Sequence, residues 1–146
     1  MILLATFALF FNACDKDEAV LTYDITGDWK VISFEDYETS TIITKTEDNT
    51  WSQFNNGDIT VNFTEYDLTN GIISGIKVTN SFSGNYKIGP NGVITISDIL
   101  QTLINEPEWG RLFDSIVEAE TYEVRNGRLI IFYNQRKNSI TLERTD

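Results

Sequence analysis

Residues 59–64 read ITVNFT, in which apolar and polar side chains alternate without exception. Strict alternation over this length is typical of a β-strand with one buried face, because successive side chains of a strand point to opposite sides of the sheet. Ile59, Val61 and Phe63 are therefore predicted to face the core. The chain is rich in β-branched and aromatic residues and has only 2 prolines, so we expect a mainly β protein.

Turn signals separate further strands on both sides of this segment. Asn126-Gly127 lies between two alternating runs and predicts a type I′ hairpin, since both central residues of that turn need a positive φ. Gly89-Pro90-Asn91-Gly92 predicts a type I turn, and Thr69-Asn70-Gly71 predicts a third turn. The predicted strands cover residues 27–34, 41–44, 73–79, 82–88, 93–97, 121–125, 129–134 and 139–143. Short strands at this spacing favour an antiparallel meander curled into a small barrel.

The hydrophobic period changes once, before the last strands. Apolar residues recur there at helical spacing, at Trp109, Leu112, Phe113, Ile116 and Val117. We predict one helix at about Pro107–Ala119, with Asn105 as its N-cap and a proline in its first turn. The predicted fold class is therefore mainly β (β-rich α+β), with the helix before the C-terminal hairpin and covering an end or an open edge of the barrel.

The first residues indicate export. Residues 1–13 carry no charge and end in Ala13, directly before the chain's single cysteine, Cys14. A short apolar run that ends in a small residue before cysteine is typical of a lipoprotein signal peptide, and this run is too short to span a bilayer. We predict a signal peptide at residues 1–13, an acidic tether at 14–24 and a β domain at 25–146. The alternative is a buried first strand with a free cysteine.

Acyl chains on Cys14 would attach the protein to a membrane, because each buried methylene contributes about 0.8 kcal/mol. The membrane is thus the expected partner of Cys14, in an outer-membrane lipoprotein that faces the periplasm or the cell surface. Asp15-Lys16-Asp17-Glu18 resembles the acidic export signals of surface lipoproteins in some Gram-negative lineages. A solvated charged tether is the alternative explanation of that run.

Net charge and residue types argue against several function classes. The formal net charge of −11 argues against nucleic acid and against peripheral binding to anionic lipid. The chain has no histidine, so the commonest general base, the usual nucleophile–base triads and most zinc sites are missing. Once Cys14 is acylated, no thiol is left for a disulfide. We therefore expect a protein that is not an enzyme and that uses no metal and no cofactor.

Carboxylates and one tryptophan are the remaining candidates for a site. Five carboxylates that are close in sequence could offer oxygen ligands to Ca²⁺. They belong to Asp24, Asp28, Glu35, Asp36 and Glu38. A solvated acidic face explains the same residues and is the preferred interpretation. Trp51 lies in the polar segment 47–57, where an exposed indole would be a candidate for partner contact.

A set of short motifs resembles a known family. Gly27 and Trp29 open the first strand in a Gly-x-Trp pattern, and the key positions of a second motif are Asn80, Phe82, Gly84 and Tyr86. Further matching stretches are residues 92–96, 112–116 and 122–129. Together they resemble the META domain (HslJ-like) family over roughly residues 25–144. From the residue types we interpret the second motif as structural: the glycine permits a bulge, the asparagine bonds a turn backbone, and the aromatic rings pack.

The resemblance implies a small β-rich, barrel-like domain that is exported, often lipid-anchored and without established enzymatic activity. Thr79 stands where many members carry cysteine, so any disulfide of the family is missing here. The Gly-x-Trp opening also resembles lipocalin-like barrels, which are large enough to hold one small ligand. Two functions therefore remain: an envelope domain linked to stress tolerance that binds a protein or envelope component, and a carrier of a small apolar ligand. A packed interior would argue against the carrier, whereas an apolar cavity of ~300 Å³ or more would favour it.

Overall fold

Residues 23–145 are described by a computed structural model, in which they form one antiparallel sheet of 9 strands and one short α-helix. The elements are β1 (Gly27–Asp36), β2 (Thr41–Ile43), β3 (Thr60–Glu65), β4 (Asn70–Ile76), β5 (Ser81–Ile88), β6 (Ile94–Gln101), α1 (Glu108–Leu112), β7 (Thr121–Arg125), β8 (Arg128–Tyr133) and β9 (Asn138–Arg144). A mainly β, antiparallel fold with one helix before the C-terminal strands confirms the predicted fold class.

The sheet curls into a half-barrel with β1 near its middle. The strand order is β6-β5-β4-β3-β1-β9-β8-β7, and β2 forms a hairpin with β1 off this path. The edge strands β6 and β7 approach each other where Val93 pairs with Thr121 in an isolated bridge and the N–H of Ile94 donates to Glu120 O at 3.0 Å. Consecutive strands are therefore neighbours around most of the sheet, as in a meander, and the helical segment lies beside the seam.

The predicted helix at Pro107–Ala119 consists of two elements. The α-helix α1 ends at Leu112, and a 3-10 helix continues over Phe113–Glu118. A 3-10 helix has three residues per turn instead of about 3.6, which rotates Val117 out of the apolar stripe. Val117 is exposed, so its predicted membership of the apolar stripe is wrong. The predicted N-cap is also wrong, because Pro107 rather than Asn105 occupies that position and no side chain caps the helix.

The core fills the half-barrel. The largest fully buried side chains are Trp29 and Trp109; the indole of Trp109 contacts Phe34 edge-on, with 5.1 Å between ring centroids. Other fully buried side chains include Ile25, Ile59, Phe63, Ile73, Ile94, Phe113, Tyr122, Leu129, Ile131 and Ile140. The inward face predicted for residues 59–64 is thereby confirmed. These side chains belong to one hydrophobic cluster inside the half-barrel.

One of the three predicted turns has the expected backbone, and two differ from the prediction. Asn126 and Gly127 have φ values of 51° and 70°, as the predicted type I′ hairpin requires. The prediction of a type I turn at residues 89–92 is wrong, because Asn91 has a φ of 57°. The β3–β4 hairpin turns at residues 66–69, before the predicted position, and Asn70 already belongs to β4.

Asp67 sets that hairpin. Its Oδ1 accepts the N–H groups of Thr69 and Asn70, each at 2.8 Å. These hydrogen bonds, foremost that from the Thr69 N–H, hold the pKa of Asp67 below its ordinary value of 3.8. Because the folded pKa is depressed, the stabilisation is present above the ordinary value and is lost as the pH falls through the folded value.

Asp67→Ala is therefore expected to lower the melting temperature at neutral pH and to leave it unchanged in strong acid. Thermal unfolding of wild type and variant, followed by circular dichroism over a pH series, should show a difference that shrinks below the ordinary pKa of 3.8. A difference that persists in acid would contradict this account. Asp48→Ala is the control, since Asp48 is exposed and its side chain makes no hydrogen bond within the described residues.

The N-terminal end of the described chain is held by the barrel. The ring of Tyr23 packs edge-on against Tyr122 at 5.9 Å between centroids, and the Tyr122 hydroxyl donates to Tyr23 O at 2.7 Å. Asp24 accepts the N–H of Thr26 at 3.0 Å. The fold thus includes Tyr23 and Asp24, which the sequence assigned to the tether, while the predicted signal peptide and Cys14 lie outside the described residues. No helix within residues 23–145 is long and apolar enough to cross a membrane.

Candidate functional site

The Gly-x-Trp pattern packs the start of β1 against β9. Gly27 has a φ of 112°, a conformation that favours glycine, and a Cβ there would lie 2.8 Å from Arg144 Nη1. Cζ of Arg144 lies 4.3 Å from the centroid of the Trp29 ring, and its Nη1 donates to Thr26 O at 2.8 Å. The Trp29 Nε1 donates to Ile25 O at 2.8 Å. Gly27 and Trp29 therefore join two strands and the incoming chain.

Phe82, Gly84 and Tyr86 form the inward face of β5. Phe82 contacts Phe113, with 5.3 Å between ring centroids, and Tyr86 packs edge-on against Phe63 at 5.4 Å. The register between β5 and β6 shifts at Gly84, where a Cβ would come within 2.8 Å of a β6 carbonyl oxygen. Burial raises the pKa of the Tyr86 hydroxyl. The aromatic residues of this motif lie in the core.

Asn80 belongs to a buried set of hydrogen bonds with Thr79 and Glu106, which we name the Glu106 cluster. The Glu106 carboxylate accepts the N–H groups of Thr79 and Asn80 at 3.2 and 3.1 Å, the Thr79 hydroxyl at 2.9 Å and the Asn80 amide at 2.6 Å. Asn80 Oδ1 accepts the N–H of Ile104 at 2.7 Å. The cluster ties the β4–β5 loop to the segment that precedes α1.

The same β4–β5 loop holds a strained backbone and a buried charge. Val78 is buried and has a φ of 117°, which a β-branched residue rarely adopts. Lys77 is 5% exposed, and its ammonium donates to Gln101 Oε1 at 3.0 Å and to the carboxylate of Asp114. A strained conformation persists only where its surroundings fix it, and the Glu106 cluster provides that restraint on the next two residues.

A recess of about 480 Å³, which we name the acidic groove, lies between the 3-10 helix and the ends of β1, β2, β8 and β9. Its apolar part is formed by Phe34, Ile43, Leu112 and Tyr133. Its charged groups are the carboxylates of Glu35, Asp36, Asp114 and Glu118 and the guanidinium of Arg111. Hydrogen bonds, foremost from the Thr39 N–H, hold the pKa of Asp36 below its ordinary value. The groove is thus apolar at its base and negatively charged at its rim.

A second recess of about 270 Å³, which we name the Lys77 pocket, lies on the opposite side of the 3-10 helix. Its apolar walls are Phe82, Ile99, Phe113, Ile116 and Val117. Its polar groups are Lys77, Gln101 and Asp114, and Asp114 also lines the acidic groove. Of the motif residues, Phe82 is the one that lines this pocket.

The carboxylates near β1 do not converge on one point. Asp28 accepts the Asn62 amide at 2.8 Å at the start of β1, whereas Glu38 pairs with Lys137 at 3.0 Å beyond its other end. Within residues 23–145, no group of three or more His, Cys, Asp or Glu side chains is placed to hold a metal ion. The indole of Trp51 is half-buried, with 6.3 Å between its centroid and that of a neighbouring phenylalanine.

Sequence reasoning missed Lys77, Glu106 and Asp114. One signal was available: Lys77 is the only charged residue between Asp67 and Lys87. An isolated charge in an otherwise uncharged run is a candidate for burial, and a buried charge needs a partner. Glu106 and Asp114 lie near other acidic residues in the sequence, so no comparable signal distinguishes them.

No protein-family model and no curated protein sequence matches this chain. A solved structure that is similar to it is the crystal structure, at 1.00 Å resolution, of a DUF4847 family protein from Bacteroides vulgatus ATCC 8482. The similarity covers 82% of this chain and 93% of that chain, with a TM-score of 0.58 and 12% sequence identity. At this identity the likeness shows a shared fold alone.

Proposed function

We propose that this chain is a lipid-anchored, non-catalytic domain of the outer membrane, of META type, that binds a basic segment of another envelope protein in the acidic groove. The observation that carries the proposal is the groove itself, in which an apolar base is bordered by four carboxylates and one guanidinium. Apolar surface rimmed by polar groups is typical of protein interaction sites. A negative rim attracts a basic partner and rejects an acidic one.

Some of the charged groups at the rim already have partners within the protein. Arg111 Nη1 donates to Glu106 O at 2.6 Å, and Asp114 pairs with Lys77. The carboxylate of Glu118 is exposed and makes neither a hydrogen bond nor a salt bridge within the described residues. A lysine or arginine of the partner would therefore pair first with Glu118, while an adjacent apolar side chain covers the base of the groove.

The groove is tested with synthetic peptides that alternate leucine with lysine or with glutamate. Isothermal titration calorimetry should show binding of the lysine peptide, weakening as salt is added, and no binding of the glutamate peptide. Glu118→Lys should weaken binding by about fivefold or more, because it replaces attraction by repulsion. Glu65→Lys makes the same charge change on an exposed residue of β3 and should have little effect. Equal binding by both variants would refute the groove as the site.

The anchor is tested separately by metabolic labelling with an alkyne fatty acid. Cys14 is the single cysteine of the chain, so Cys14→Ala should abolish the label and release the protein from the membrane fraction. Unchanged labelling and fractionation in the variant would refute the anchor without affecting the groove.

A further inference from the structure

We propose that the Lys77 pocket binds a small amphiphile with a single carboxylate and a short apolar tail. This site shares Asp114 with the acidic groove but does not depend on the proposed protein partner. Ligand sites are typically apolar recesses in which a few polar groups fix orientation. The pocket has that composition, with five apolar side chains around the ammonium of Lys77 and the amide of Gln101.

The buried ammonium identifies the chemistry of the head group. An ammonium carries three N–H donors, and Gln101 Oε1 and Asp114 are the acceptors of two of them within the described residues. The side chain of Lys77 is 6% exposed, whereas that of Asp114 is 56% exposed. Asp114 can therefore turn into water at small cost, while Lys77 cannot. A ligand carboxylate that takes the place of Asp114 keeps the buried ammonium paired.

Charge and volume restrict the ligand further. One ammonium balances one negative charge, and the nearby Asp114 together with the net charge of −11 disfavours a doubly charged phosphate. The volume of about 270 Å³ lies just below the range of roughly 300–1,000 Å³ that holds drug-sized ligands. The pocket therefore suits a medium-chain fatty acid, with its tail between Phe82, Ile99 and Phe113.

The loop that carries Lys77 is fixed before any ligand arrives. Val78 is held at a φ of 117°, and the Glu106 cluster restrains the two residues that follow it. Strained residues concentrate at ligand sites, where the strain maintains a side chain in one direction. A fixed Lys77 lowers the entropy cost of binding.

Octanoate is the probe, titrated into the purified full chain by calorimetry, with octanol as the uncharged control. We expect octanoate to bind and octanol to bind at least tenfold more weakly. Lys77→Met should weaken octanoate binding tenfold or more and leave octanol unaffected. Asp114→Asn should tighten octanoate binding several-fold, because the ligand no longer competes with a carboxylate. Lys30→Met is the control. It removes a lysine of β1 that lies outside the pocket and pairs with Glu143 of β9, and it should not change octanoate binding.

The binding results either support the Lys77 pocket as a carboxylate site or overturn it. Loss of binding in Lys77→Met together with a gain in Asp114→Asn supports the site. Absence of octanoate binding to the wild type, equal binding of octanoate and octanol, or weaker octanoate binding in Asp114→Asn overturns it. If Lys77→Met does not fold, as judged by thermal unfolding, the comparison of Asp114→Asn with the wild type decides.

Discussion

Trp29→Ala is expected to lower the free energy of unfolding by about 4 kcal/mol, within the range of roughly 3–5 kcal/mol for removal of a buried tryptophan. The indole is fully buried, and three contacts are lost with it: the core side chains around it, the hydrogen bond from Nε1 to Ile25 O and the guanidinium of Arg144. Trp29 lies on β1, which pairs with β2, β3 and β9, so the cavity forms where the sheet is joined. The surrounding strands cannot collapse onto it without losing their register.

Urea denaturation followed by far-ultraviolet circular dichroism measures this loss, which corresponds to a fall of about 12 °C in melting temperature for a domain of this size. Trp51→Ala is the matched control, because its indole is half-buried in a loop and its removal should cost less than about 1 kcal/mol. Equal effects of the two substitutions would contradict the role assigned to Trp29.

Glu106→Ala is expected to cost about 3 kcal/mol. The substitution leaves the backbone N–H groups of Thr79 and Asn80 without their acceptor and removes one of the acceptors of the Asn80 amide; an unsatisfied buried donor costs about 1–3 kcal/mol. The loss also frees the β4–β5 loop from the segment before α1. The strained conformation of Val78 should then relax, so the ammonium of Lys77 moves out of its pocket.

Two variants control this experiment. Glu108→Ala removes an exposed carboxylate from the first turn of α1 and should stay within about 0.5 kcal/mol of the wild type. Glu106→Gln keeps one acceptor oxygen and should fall between the wild type and the alanine variant. Hydrogen exchange adds a local readout, since the amides of residues 79 and 80 should lose protection in Glu106→Ala. Unchanged protection there would mean that the cluster does not hold the loop.

Short sequence patterns were enough to predict most of the strands and the helical segment. The alternation at residues 59–64 placed Ile59, Val61 and Phe63 in the core, and the Asn126-Gly127 pair marked the β7–β8 hairpin. These predictions succeed because the period of a strand and the φ values of a turn depend on residues next to each other. The helix was located correctly, but its change to a 3-10 helix after Leu112 has no signal in the apolar spacing.

The candidate sites could not be predicted in the same way. Glu106 bonds to residues 26 and 27 positions earlier in the chain, and Lys77 meets Asp114 across 37 positions. Each belongs to a charged residue type that is usually exposed, so its sequence position gives no reason to expect burial. Residues of the 3-10 helix line both recesses, together with residues from strands that are distant in the sequence.

The mainly β class, the strand periods, the position of the helical segment and the net negative charge follow from neighbouring residues and from composition, so the sequence is sufficient to predict them. The packing of the interior, the burial of Lys77 and the sharing of Asp114 by two recesses become visible in the folded chain. Burial and pairing of a charge depend on groups brought together from distant parts of the chain, and no local pattern records them. The cost of leaving such a charge unpaired then fixes the loops around it.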